Sequence, residues 1–431
     1  MTNLEKILCI FVDCMRRISG IVWVLFLLAS CKSEVAGELS ALYSAVPSRS
    51  IAVMHFDSCE DALPILLDST SVFRSLDYGR LSGAEIVLSY DYSAGLIPLL
   101  VLDAGRASAD TSAMVRKLLD QAAENKLFCF YSGERLPKRS ALLLSPSKAL
   151  IAEAGEHIIS GVSIMDAEGF RESLALADGS KGSIFLRNGS AARLIPKNML
   201  KGYFTRKDLV RFFGGVSEWT VLNFGSYSRE GIDVAFREPG SARYLSSLFA
   251  GMEAGDCSSA SAVPDSAEFV LGLCLDDPRA YLHAWEECLD VRAELSRYKG
   301  RLASLRKSAG KNPSVWWTEK SPKEIVRVIW DGQEVLLVRP TKKARASDLA
   351  ENPYPGFIPA LLGDAFRISD DSMCASAGGW MALGSAEAVS AWLEAPRGAF
   401  LSGMPRKAKY YLINPEFSIV AGSKNTVLNV N

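Results

Sequence analysis

The sequence predicts an α+β protein. A signal peptide precedes two tandem modules, each a mixed, largely antiparallel sheet with helices packed on it. Three observations carry that expectation. From about residue 45 onward, short apolar runs of strand length alternate with segments of helical spacing. Asp331-Gly332, set between two apolar runs, is the strongest hairpin signal in the chain and belongs to antiparallel pairing. Finally, several local patterns return after roughly 220 residues, a period too long for a solenoid and suited to two large copies.

The chain opens with residues 1–30 as a signal region. Ile21–Ala29 is an apolar run of nine residues, whereas a spanning helix needs about 20. Joining it to Ile7–Val12 would place Asp13, Arg16 and Arg17 in hydrocarbon, at about 2.5–3.5 kcal/mol each. A basic start, an apolar stretch and small residues before a cut describe a secretory signal instead, and Met15-Arg16-Arg17, Ile18–Leu28 and Ala29-Ser30 supply these parts. Met1–Cys14 fits no such grammar, so Met15 is read as the start of translation. Leu28-Ala29-Ser30-Cys31 resembles the lipobox of bacterial lipoproteins, in which the cysteine is acylated and becomes the mature N-terminus. Cys31 is therefore the expected site of lipid attachment, with residues 31–44 as a tether. Lys32 is not the aspartate that resembles an inner-membrane retention signal, which favours the outer membrane.

The first module is placed at 45–252. Ile51–Phe56 reads as a strand and Cys59–Asp68 as a helix. Ile86–Tyr90 and Leu96–Asp103 read as strands, the second apolar on both faces and so central. Thr111–Lys126 carries helical spacing through Met114, Leu118, Leu119 and Ala122. Leu127–Tyr131 and Ala141–Leu144 are short strands. A helix from Pro146 to about Ile159 follows, with Ser145 expected as its N-cap and Pro146 at the first helical position. Phe170–Ala177 is helical, Ser183–Arg187 is a strand, and Glu218–Arg237 a hairpin around Ser228-Arg229-Glu230-Gly231.

Glu253–Ser266 is rich in Gly, Ser, Ala and Asp and reads as an exposed loop, with 253–261 as linker. The second module, 262–431, begins with a strand Phe269–Leu275 and one long helix from Pro278 to about Lys307. Val326–Trp330 and Gln333–Arg339 then flank the Asp-Gly turn. Ala45-Val46-Pro47 recurs at Ala262-Val263-Pro264, with Val53 falling on Val270. "LLSPSKALIAEAGE" (143–156) matches "ALGSAEAVSAWLEA" (382–395), and "SIFLRN" (183–188) matches "KYYLIN" (409–414). Beyond that last strand the first module continues through its hairpin, whereas the second has room for about one strand, Phe417–Ala421. The second module is expected to be incomplete there, with an open edge.

The Val-Pro opening, the strand–serine–helix unit and "DAEGFRESLALADGSKGSIFLRN" (166–188) resemble an uncharacterised domain-of-unknown-function family of exported proteins, frequent among lipoproteins of Bacteroidetes-like bacteria. The resemblance implies an envelope address and two modules. It brings no activity, cofactor or site residue with it.

Chemistry is sparse. Net charge is −1, with 48 basic and 49 acidic residues, which gives no electrostatic footprint for nucleic acid. The basic clusters Lys342-Lys343-Arg345 and Arg301–Lys311 read as solvated faces. After Cys31 come Cys59, Cys129, Cys257, Cys274, Cys288 and Cys374. Most sit in apolar runs and read as small buried hydrophobes. Cys274–Cys288 is a candidate bridge. No C-x-x-C exists, His55, His157 and His283 are scattered, and no zinc site is expected. Ser145-Pro146-Ser147-Lys148 matches S-x-x-K, but no K-T-G accompanies it, and Ser304–Lys307 repeats the pattern inside a helix. No Walker loop, G-x-S-x-G or G-x-G-x-x-G occurs. Glu286-Glu287, Asp276-Asp277 and Asp370-Asp371 are adjacent pairs that point apart on a helix. Trp316-Trp317 and Tyr410-Tyr411 read as core.

The expected role is that of a lipid-anchored envelope protein that binds a protein or polymer partner without catalysis or cofactor. The alternative is an envelope hydrolase or transferase whose site is dispersed in sequence. A deep cleft of convergent, perturbed ionisable groups would favour the enzyme, and shallow apolar patches would favour binding.

Overall fold

The computed structural model describes residues 41–431 apart from 70, 80, 82, 93–94, 106–108, 134–139, 179–180, 192–216, 225–231, 237–243, 414–416, 423–425 and 431. The signal region and Cys31 lie outside the described residues. The fold is α+β, and the chain divides into two compact units near residue 240.

The first unit contains β1 (Ala52–Phe56), α1 (Cys59–Leu66), β2 (Ile86–Tyr92), β3 (Leu96–Gly105), α2 (Ala109–Glu124), β4 (Phe128–Tyr131) and β5 (Ser140–Ser145). These are followed by α3 (Lys148–Ser160), α4 (Phe170–Leu174), β6 (Ser183–Arg187), α5 (Asn188–Ala191), β7 (Trp219–Phe224) and β8 (Ile232–Phe236). Its strands lie in the order β4-β5-β3-β2-β1-β6-β7-β8, and every pairing is antiparallel. Alternation places Val53, Val87, Val101, Leu143, Phe185 and Val221 on one face, where Leu150, Ile151 and Ala154 of α3 and Phe170 of α4 complete a core. Leu88, Leu100, Leu102, Leu142 and Leu144 on the other face are buried as well, as the unbroken apolar runs of β3 and β5 require.

The N-terminus of α3 differs from expectation. Ser147 is the N-cap, accepting from the Leu150 amide. Ser145 is the last residue of β5, and its buried hydroxyl donates to the Pro98 carbonyl at 2.8 Å. The cap fell two residues later because Ser145 has a partner across the sheet. That hydroxyl is committed to a carbonyl and is not poised as a nucleophile.

The second unit contains α6 (Leu245–Ala250), β9 (Gly255–Asp256), β10 (Ala267–Cys274), α7 (Pro278–Val291), α8 (Leu295–Ala309), α9 (Pro313–Lys320), β11 (Pro322–Trp330), β12 (Gln333–Pro340) and β13 (Ser347–Glu351). It continues with α10 (Phe357–Leu362), β14 (Met373–Ala377), β15 (Trp380–Gly384), α11 (Ala386–Glu394), β16 (Lys407–Ala408), β17 (Tyr410–Ile413), β18 (Phe417–Ala421) and β19 (Thr426–Val430). The order here is β13-β14-β15-β12-β11-β10-β17-β18, again antiparallel throughout.

Seven strands of this unit, β10, β11, β12, β14, β15, β17 and β18, occupy the places of β1 to β7. The sequence counterparts fall on corresponding elements: Val53 on β1 and Val270 on β10, β5–α3 and β15–α11, β6 and β17. Ser385 caps α11 through the Ala388 amide as Ser147 caps α3. The units differ between their first and second equivalent strands, which are joined through α1 in one and through α7, α8 and α9 in the other, and between their third and fourth. There the first unit inserts α2, and the second inserts β13 and α10, with β13 paired to the outer side of β14.

Several expectations are corrected. The long helix is two, α7 and α8, broken where Ala293 takes φ of 56°. The stretch expected as linker belongs to the second unit: β9 pairs with β16, and Ser259, Ala262 and Val263 are buried. Short Ser/Gly/Ala side chains permit close backbone approach there, and a Cβ on Gly255 would meet the Leu275 amide at 2.8 Å. Two strands, not one, follow Ile413, since β18 and β19 need only five residues each. The Asp331-Gly332 turn has positive φ at both residues, 45° and 73°, as a type I′ hairpin requires. No helix of the described residues is long and apolar enough to cross a membrane.

Candidate functional site

Two places combine exposure or chemistry with a built geometry, one in each unit. The first is the β4 end of the first sheet. β4 pairs with β5 along one edge, and no strand among the described residues pairs with the other. The Ser132 amide donates to Ala141 on β5. By antiparallel alternation, the amides of Phe128 and Phe130 point the same way, and those of Cys129 and Tyr131 point outward. Between β4 and α3 lies an open, mostly apolar cleft of about 480 Å³. Leu127, Phe128 and Phe130 form one wall and Ile151, Gly155 and Ile159 of α3 the other.

Gly155 is needed there, because a Cβ at that position would stand 3.2 Å from the Phe130 ring. Phe128 is 43% exposed and Ile159 68% exposed, a large apolar exposure for two facing side chains. Among the described residues, Lys148 and Glu156 are the charged groups lining the cleft. The Cys129 thiol is pushed up by burial yet is exposed overall, which corrects its reading as a core residue. Phe128, Cys129 and Tyr131 are exposed on this edge strand, while Phe130 is half-buried against α3.

The second place is a buried polar row on the sheet of the second unit. Register sets Cys274 opposite Glu324 on β11 and Glu324 opposite Arg339 on β12, so the three side chains share a face. Glu324 is fully buried. Its Oε1 accepts from the Tyr411 hydroxyl at 2.8 Å, and its Oε2 accepts from the Ser258 amide at 2.8 Å and the Ser258 hydroxyl at 3.3 Å. Arg339 Nε lies 3.5 Å from Oε2, and its Nη2 donates to the Asp256 carbonyl at 2.5 Å. Burial nevertheless outweighs these partners and holds the Glu324 carboxyl above its ordinary value. Burial also raises the Tyr411 hydroxyl and the Cys274 thiol, the latter helped by its contact with Cys257.

Cys257 Sγ lies 2.9 Å from Cys274 Sγ, and one ligand atom from each of Cys257, Cys274 and Glu324 falls within 4.8 Å of the others. By donor type this trio could hold a cation. The geometry argues otherwise: two thiolates on one tetrahedral zinc at about 2.3 Å stand about 3.8 Å apart, and the Arg339 guanidinium repels a cation at the carboxylate. The expected Cys274–Cys288 partnership is corrected, since the Cys274 sulfur faces Cys257 while Cys288 is buried in α7. Composition hid this pair, because Cys257 sat in a stretch read as linker.

The remaining candidates do not converge. His55 pairs with Glu85 at 2.8 Å, while His157 and His283 sit beside carboxylates one helical turn away. Trp316 and Trp317 are buried in α9, with the Trp317 indole donating to the Pro278 carbonyl at 2.7 Å. No family model, curated protein or solved structure matches the chain. Function must therefore be argued from its own residues.

Proposed function

We propose that the chain is a lipid-anchored envelope protein, held to the outer membrane through Cys31, that binds a protein partner without catalysis. The partner lays an extended segment along the outer edge of β4. One observation carries this reading. The strand equivalent to β4 in the second unit, β14, has its outer edge paired antiparallel by β13, with Ser347 opposite Ser376 and Glu351 opposite Met373. The same architecture thus accepts a strand at this position; in the first unit no strand among the described residues takes it, and an apolar cleft lies between β4 and α3. Strand addition draws affinity from main-chain bonds to Cys129 and Tyr131 and selectivity from alternate side chains entering the cleft. The cleft lining supports binding over hydrolysis: the perturbed ionisable groups of the second unit are buried in its core, and Lys148 and Glu156 flank apolar walls.

Two measurements test this. A photo-crosslinker at Tyr131 in cells captures a protein, and the crosslinked peptide lies in an extended segment. Cys129→Pro removes an outward amide while sparing those that bond β5, and it lowers capture at least tenfold. Equal capture by the proline variant, or capture of glycan alone, overturns the strand-addition reading. Anchoring is tested separately. Wild type partitions with membranes and takes up labelled fatty acid, whereas Cys31→Ala yields an unacylated precursor that is unprocessed or soluble, since stable attachment needs two or more chains. Wild type without acyl label, with unchanged partition of the variant, would falsify lipidation.

A further inference from the structure

We propose that Cys257 and Cys274 form a disulfide that clamps the entry segment of the second unit to strand β10. The two sulfurs stand 2.9 Å apart, well inside the about 3.5–4.0 Å at which non-bonded heavy atoms rest, so bond formation needs a movement of under an ångström. Cys257 is partly exposed and Cys274 buried, which gives the pair an order of reaction. The Cys257 thiolate attacks a sulfur of a small or protein disulfide donor, releasing one donor thiolate and forming a mixed disulfide. Cys274 then gives up its proton, and its sulfur attacks that of Cys257. The Cys257–Cys274 bond forms as the mixed disulfide breaks, and the second donor sulfur leaves with the electron pair. Two thiols are oxidised by two electrons, the donor disulfide is reduced to two thiols, and the two protons end on the donor.

The surroundings favour the bonded form. The desolvated Cys274 thiol is a poor leaving group, which makes the bond slow to reduce. The segment that Cys257 fixes also carries the Asp256 carbonyl and the Ser258 amide that serve Arg339 and Glu324. The bond therefore holds the polar row in register, and it belongs to structure rather than to partner binding on β4.

The test equilibrates the full native chain in mixed oxidised and reduced glutathione, traps free thiols by alkylation after acid quench, and maps the peptides. The expected result is a linked pair of peptides bearing Cys257 and Cys274, lighter than the two thiol forms by about two daltons. Cys288→Ser leaves that pair intact, and Cys257→Ser leaves Cys274 fully alkylated. Both peptides alkylated in wild type, or Cys274 found linked to Cys288, overturns the proposal. So does one bound zinc per chain, retained through gel filtration, with both thiols protected and no linked peptide. The wild-type map decides the matter even if the Cys257 variant fails to fold.

Discussion

Replacing Gly272 with alanine is expected to lower the stability of the second unit by about 3 kcal/mol or more. Gly272 lies on β10 directly opposite Tyr411 on β17, and a Cβ added there would stand 2.0 Å from the Tyr411 ring carbon that bears the hydroxyl and 2.4 Å from its neighbours. The ring covers the bare backbone of the glycine, and its hydroxyl continues to Glu324 at 2.8 Å. Alanine therefore does two things. It overpacks a site with no room to relax, because Tyr411 is fully buried, and it swings the hydroxyl away from Glu324 Oε1, while the Ser258 and Arg339 contacts are to Oε2. Thermal or denaturant unfolding of the full chain measures the loss. Tyr411→Leu in the same chain relieves the clash, so the double variant loses less than the sum of the single changes. Additive losses, or a Gly272→Ala chain as stable as wild type, would show that the ring does not rest on the glycine.

Much of the sheet was legible in sequence, because alternation and turn chemistry are local. Asp331-Gly332 fixed a hairpin on its own, and β3 announced its central place by being apolar on both faces. The counterparts "LLSPSKALIAEAGE" and "ALGSAEAVSAWLEA" landed on equivalent strand–helix units, since both encode the same burial pattern and a serine cap. What escaped was set by tertiary contact. The Ser145 hydroxyl was drawn to Pro98 across the sheet, so the cap moved to Ser147. Residues 253–261 looked like a loop because small side chains lower hydropathy, and the same smallness lets Gly255 lie against the backbone of Leu275. The β14–β15 hairpin, turned at Gly378-Gly379 with φ of 60° and 86°, carries the Gly-Gly signal but lies between runs too mixed to read as strands. The candidate sites were the least legible. β4 stands out in sequence only for being apolar, and its exposure goes with an outer edge that no strand among the described residues pairs. The Cys274–Glu324–Arg339 row exists only in the register of three strands.

That row yields the second large effect. Glu324→Ala is expected to cost about 3–5 kcal/mol, because it leaves the Ser258 and Tyr411 donors without this acceptor and removes the carboxylate beside Arg339, which keeps the Asp256 carbonyl. Glu324→Gln keeps an acceptor and removes the buried charge, so it costs about 1 kcal/mol or less at neutral pH. The two variants also differ in pH dependence. Burial holds the Glu324 carboxyl above its ordinary value in the folded chain, so the folded state binds this proton more tightly than the unfolded one. Stability from this group is then greatest below the unfolded carboxylate value and falls as pH rises through the window up to the raised native value. The opposite slope would apply to a carboxylate held low by its partners. Denaturant unfolding in reductant, with Cys257 and Cys274 kept as thiols, should show wild type losing stability across that window and Glu324→Gln losing less, since burial holds the Asp371 carboxyl above its ordinary value too. A Gln variant with the wild-type slope would assign the titration to another group. A Gln variant as damaged as the Ala variant would mean that the ionised carboxylate, rather than its acceptor geometry, holds the row together.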